Sequence, residues 1–215
     1  VTTSIQHTII GGLAGDALTT GEKNTVLGYQ ALTADTTGDR TVAIGHSALY
    51  SQNITTGAVS YNTAIGFETG YSITTGDQNT LIGYQAGDAL TTGNKNTVVG
   101  YNACGGGTTY DGNTAIGHEA LKVANITTGA DANNTAVGAS AGAAVSSGLK
   151  NVIIGVSSAP SLTTGTDNIC IGRQADVSAS GAANQITIGV DINAGGDNNF
   201  SFGKSSNVVT NDFDS

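Results

Sequence analysis

The feature that most constrains this chain is a 17-residue repeat. The motif Asn-Thr-apolar-apolar-Gly stands at Asn24 to Gly28, Asn62 to Gly66, Asn79 to Gly83, Asn96 to Gly100, Asn113 to Gly117 and Asn134 to Gly138. Looser copies end at Gly11, Gly45, Gly155, Gly172, Gly189 and Gly203, and successive motif glycines are 17 residues apart except for two gaps of 21 and a last one of 14. A second mark, Thr-Thr-Gly, falls half a period later, as at Thr19 to Gly21 and Thr91 to Gly93. Ala14 to Gly21 recurs unchanged as Ala86 to Gly93, 72 residues on, so the larger duplicated unit is four coils, one of them enlarged. Helix-pair repeats need roughly 33 to 47 residues. Seventeen suit one turn of a β-solenoid, two short strands and two tight bends, with glycine where φ turns positive or backbones pass closely. The expected fold is an all-β, parallel β-solenoid of about twelve coils over residues 1–203, a rod on the order of 55 Å long. A non-repeat tail follows at 204–215.

Stacked coils place like residues above like, so the Asn column (Asn24, Asn62, Asn79, Asn96, Asn113, Asn134, Asn151, Asn168) is expected to form a side-chain amide ladder. The residue before each motif glycine is Leu27, Ile44, Ile65, Ile82, Val99, Ile116, Val137, Ile154, Ile171 or Ile188. Being uniformly large and apolar, it is assigned to the core. Alternation then sends the preceding column, Val26, Ala43, Ala64, Leu81, Val98, Ala115, Ala136, Ile153 and Cys170, to the opposite side. A strand apolar on both faces is buried on both, so this second column is expected to meet another copy of the chain in a homo-oligomer. The residue after the glycine gives an aromatic file, Tyr29, His46, Phe67, Tyr84, Tyr101 and His118. Two readings stay open for it: a stacking platform for sugars or another apolar ligand, or packing at a corner or between chains.

Composition narrows function. Charged residues are 11% of the chain and the net charge is −9, which argues against neutralising nucleic-acid phosphates. Gly (32), Thr (31) and Asn (19) dominate, all poor helix formers. No apolar run reaches the length of a membrane span, and the start resembles no signal peptide. The lack of any Met leads us to expect a fragment or processed product. His46 and His118 are four coils apart and cannot share a metal, and the matched Glu68 and Glu119 lie three coils apart, about 14 Å, too far for a glycosidase pair. No cofactor, metal or enzymatic activity is expected. Cys104 and Cys170 lie in different coils, so no disulfide is expected. Asn53-Ile-Thr and Asn125-Ile-Thr match the glycosylation pattern, as chance would produce in so Asn- and Thr-rich a repeat. The two 21-residue coils must accommodate extra residues at their bends, which are expected to bulge outward and to carry recognition: Tyr50, Gln52 and Tyr61 in the first, Lys122 and Asp131 in the second.

Runs such as Asn113 to Leu121 (NTAIGHEAL) and Asn79 to Gly87 (NTLIGYQAG) resemble the repeats of bacteriophage tail fibres, above all those of marine and cyanobacterial phages. They are also similar to the head repeats of trimeric autotransporter adhesins. The resemblance covers Thr8 to about Gly203. It implies a homotrimeric fibre in the virion, joined to other tail proteins and binding a host cell-surface glycan or protein, without nucleic acid or membrane insertion. The alternative it implies is a bacterial adhesin head at the cell surface. The stretch Phe202 to Ser215 resembles the segment before an endosialidase-type intramolecular chaperone, which implies self-cleavage after Ser215. An ice-binding solenoid and a tailspike depolymerase are weaker readings: adjacent Thr-Thr residues point to opposite faces, and the carboxylates are too far apart.

Overall fold

A computed structural model describes residues 6–54, 59–124 and 131–212. The strands are β1 (Thr8–Ile10), β2 (Thr25–Leu27), β3 (Val42–Ile44), β4 (Thr63–Ile65), β5 (Thr80–Ile82), β6 (Thr97–Val99), β7 (Thr114–Ile116), β8 (Thr135–Val137), β9 (Val152–Ile154), β10 (Ile169–Ile171), β11 (Ile186–Val190), β12 (Asn199–Lys204) and β13 (Asn207–Asp212). They form one 13-stranded sheet in sequence order. All neighbours are parallel except β12 and β13, which pair antiparallel through a tight turn at Ser205 and Ser206. The register follows the repeat: Val26 pairs Ala43, Ala43 pairs Ala64, Ala64 pairs Leu81. The fold is the expected parallel β-solenoid, and its twelve parallel strands bound eleven turns. No helix occurs among the described residues.

The motif strands β1 to β10 are three residues long, and in most coils only the middle residue points inward. That middle column is Val26, Ala43, Ala64, Leu81, Val98, Ala115, Ala136, Ile153 and Cys170, every one fully buried. The flanking column lies outside: Leu27 is 44% exposed, and Ile65, Ile82, Ile116, Ile154 and Ile188 lie between 36% and 39%. The expected orientation is therefore inverted. Val26, Ala64, Val98 and Ala115 are core, not interface, and the large β-branched residues face out. The reason is width. A second inward column supplies Leu32, Leu49, Cys104 and Leu121 from the bend beyond the glycine, so the opposing strand residue must mostly be small.

The Asn ladder forms as expected. Asn62 Oδ1 accepts the Asn79 N–H at 2.8 Å, Asn79 Oδ1 accepts the Asn96 N–H at 3.0 Å, and Asn96 Oδ1 accepts the Asn113 N–H at 2.9 Å. Nδ2 groups also reach across their coils, Asn79 to the Gly93 carbonyl at 2.9 Å and Asn151 to the Gly165 carbonyl at 2.9 Å. A column of buried amides thus satisfies backbone groups that short strands leave unpaired.

Candidate functional site

Because the register is fixed, the residue after each motif glycine stacks on its counterpart one coil away. Ring centroids are 5.5 Å apart for Tyr29 and His46, 5.0 Å for His46 and Phe67, 5.3 Å for Phe67 and Tyr84, 5.2 Å for Tyr84 and Tyr101, and 5.1 Å for Tyr101 and His118. From His46 onward the planes are within 16° of parallel. The ring faces are therefore turned toward one another along the rod, and the edges toward solvent. A sugar-stacking platform needs open faces, which only the end rings keep, so the geometry favours edge packing against a flat partner. Tyr29 is 50% exposed and Tyr101 49%, so that edge is open in the single chain.

The outer face of the sheet joins this file to two others. Thr25, Thr63, Thr80, Thr97 and Thr114 open their strands, and Leu27, Ile65, Ile82, Val99 and Ile116 close them on the same side. Threonine, β-branched and aromatic files run side by side, with no Lys, Arg, Asp or Glu in any of them from β2 to β9. At about 4.8 Å per coil and 3.3 Å per residue, the strip is about 35 Å long and about 15 Å wide. That is roughly 500 Å², near the upper limit of what a monomer leaves uncovered.

The enlarged coils behave differently from expectation. Gln52 does not bulge outward. It is fully buried, donates to Asp35 Oδ2 at 2.7 Å and to Thr41 Oγ1 at 3.2 Å, and accepts from Asn62 Nδ2 at 2.8 Å. The reason is a gap in the ladder: Thr41 replaces Asn in that coil, and the longer Gln52 side chain fills the space. Ile54, Ser60, Ala124 and Ala132 are buried too, so the insertions thicken the core as well as lengthening the bend. Tyr50 stacks on Tyr71 at 4.9 Å and 3°. Tyr61 is exposed beneath the Arg40 guanidinium, 5.7 Å from its ring centroid. Lys122 pairs with Glu119 at 2.7 Å, and Asp131 is exposed, its backbone bridged to Asp111. Tyr50, Tyr61, Lys122 and Asp131 lie on the surface but form no single cluster. Ser215, and Asn125 with the centres of both enlarged bends, lie outside the described residues.

Sequence reading missed two groups. One is the buried carboxylate of Asp35, which also accepts the Gly38 N–H at 3.0 Å; burial raises its pKa from the ordinary value. The other is a cavity of about 210 Å³ bordered by Pro160, Gln174, Asp176, Asp191 and Asn193. Its sequence signal was Asp176, which occupies the column that holds Leu32, Leu49 and Leu121 in other coils. Cys104 and Cys170 are free, and both are buried within the chain rather than Cys170 facing a neighbour; burial raises both thiols to about 12, which leaves them unreactive. No group of three or more His, Cys, Asp or Glu suited to a metal ion occurs among the described residues, and no helix there is long and apolar enough to cross a membrane. Comparisons with protein-family models, curated proteins and solved structures found no match.

Proposed function

We propose that this chain is a shaft and attachment segment of a fibre, of the phage tail-fibre kind. In this reading three copies lie side by side through the outer sheet face, and the assembled rod holds surface residues against a host cell. Its work is mechanical and adhesive rather than catalytic. The observation that carries the reading is the uncharged strip of threonine, β-branched and aromatic files, continuous over the repeat and open in the single chain.

The partner best suited to that strip is another copy. Its ridges recur at the strand spacing of about 4.8 Å, so only a surface with the same pitch packs along its whole length. A second copy has that pitch by construction. The chain's net charge of −9 would oppose association, but the acidic groups sit at the bends and leave the strip clear. The aromatic edges, turned outward by stacking, suit such flat packing.

Two measurements test the proposal separately. Light scattering on the purified chain is expected to give three times the 21.3 kDa chain mass. Labelled protein is expected to decorate susceptible host cells; a trimer that binds no cell surface would leave the rod without its attachment role.

A further inference from the structure

We propose that the cavity bordered by Pro160, Gln174, Asp176, Asp191 and Asn193 binds one neutral pyranose unit of a glycan. This deepens the attachment reading and rests on it only for its biological use. The cavity spans three successive coils where the repeat breaks its own pattern. Asp176 stands in a column filled by Leu, Gly, Cys or Ala from Gly15 to Ala159, with Asn193 following it one coil on, and is only 6% exposed. Its Oδ1 is used by the fold, accepting the Val177 N–H at 2.9 Å and the Ser161 N–H at 3.2 Å. Its Oδ2 has no donor among the described residues, and Asp176 lines the cavity. An apolar residue would satisfy the core at that position, whereas the carboxylate turns one acceptor oxygen, unused by the fold, to the open side of the cavity.

The surroundings suit a polyol. Asn193, held opposite Asp176 by a backbone bridge, is exposed and offers both a donor and an acceptor. Gln174 Oε1 accepts from Arg173 Nη1 at 2.7 Å, which leaves its NH2 to donate. Asp191 is held by its ion pair with Arg173 at the rim. Pro160, the only proline in the chain, supplies an apolar ring against which the C–H face of a sugar can lie. A volume of 210 Å³ equals the liquid share of about seven waters, which fits one ring and not a chain of them. It is also too wide for a bare cation, whose oxygen ligands must close to about 2.4 Å. With two carboxylates in the lining, a neutral sugar is favoured over an acidic one.

The test titrates the full chain with methyl glycosides of neutral hexoses, with N-acetylneuraminic acid, and with calcium alone, read by saturation-transfer NMR and calorimetry. At least one neutral glycoside is expected to bind with a dissociation constant on the order of 1 mM. Asp176→Asn keeps the Oδ1 acceptor for the turn and changes only the free oxygen; it should weaken binding at least tenfold with the melting temperature held. Asn193→Trp, at the exposed rim, should abolish binding by filling the entrance. Binding unchanged in both variants, no binding by any neutral glycoside, or a calcium response lost in Asp176→Asn would each overturn the assignment. Cell attachment measured alongside separates the two readings. Sugar binding without attachment overturns the fibre's adhesive role and leaves the site, whereas attachment without sugar binding overturns the site and leaves the role.

Discussion

Gly83 shows how a single position enforces the coil. Its φ is +133°, and a Cβ there would lie 2.4 Å from the carbonyl oxygen of Gly100 in the next coil, so both the backbone angle and the space exclude a side chain. Gly83→Ala should cost about 3 kcal/mol or more, read as a fall in the urea midpoint. Positive φ recurs through every coil, and most of the residues that take it are not glycine: Lys95, exposed, has φ +59°. Lys95→Gly should leave stability unchanged or higher, while Lys95→Val, equally exposed but β-branched, should lose about 1–2 kcal/mol. A difference no larger than error between the two would show that the left-handed residues carry no strain. Asp35 supplies a pH test. Its folded pKa is raised by burial, which outweighs its hydrogen bonds from Gln52, Gly38 and Ile54. The folded state thus holds the proton more tightly than the unfolded chain, and the stability this adds is present below about pH 3.8 and lost as pH rises through the folded pKa. Asp35→Asn, which cannot ionise, should therefore remove that loss between acid and neutral pH, in paired denaturation curves.

At the scale of the coil, the interior keeps its volume by exchange between columns. Where the bend beyond the glycine carries Leu49 or Leu121, the neighbouring strand residues are Ala43 and Ala64, or Ala115 and Ala136. Where it carries Gly70, Leu81 and Ile73 fill the space instead: a Cβ on Gly70 would sit 2.8 Å from Leu81 Cδ1 and 3.1 Å from Ile73 Cδ1. Gly70→Leu should cost about 3 kcal/mol by overpacking and Leu81→Ala about as much by leaving a cavity. Together they should cost less than their sum by about 1–3 kcal/mol, since Leu49 and Leu32 already hold leucine at the same left-handed φ of +52°. This exchange also explains what the sequence did and did not disclose. Period, the motif strands, parallel register and the Asn ladder followed from spacing, because each depends only on like residues stacking; the second strand expected in each coil is absent among the described residues, where turns and a few isolated bridges stand instead. Orientation did not: Ile82 and its column looked like core because they are the largest apolar residues. Burial of apolar residues is a one-way rule, and where the bend supplies a leucine such as Leu121 the inward strand residues are only Ala115 and Ala136, while Ile153 fits beside Gly142. Gln52 misled in the same manner, since the space it fills exists only because Thr41 is shorter than Asn. The cavity by Asp176 needs three coils in place before it exists, so only the misplaced carboxylate was visible in one dimension.

For the whole molecule, the inverted orientation changes which residue tests assembly. Val98 is fully buried within one chain, so Val98→Asp places an unpaired charge in the core and should prevent folding, whatever the oligomeric state. Ile82 is 36% exposed in the single chain and lies in the middle file of the strip, next to the stacked edges of Phe67 and Tyr84. A charge there costs the single chain little, because the carboxylate turns to water. In the assembly the same carboxylate would be desolvated once per copy, facing its symmetry mates. Ile82→Asp with Ile116→Asp, two coils apart on the same file, should therefore leave the β-sheet circular dichroism spectrum intact while converting the species seen by light scattering to a 21.3 kDa monomer. Asp77, already acidic and placed beside a bend away from the strip, serves as the control: Asp77→Ala should not change the mass. A wild-type chain that is monomeric at micromolar concentration would overturn self-assembly and leave the outer face of the sheet to another partner, whereas a double variant that keeps the wild-type mass would place the interface elsewhere.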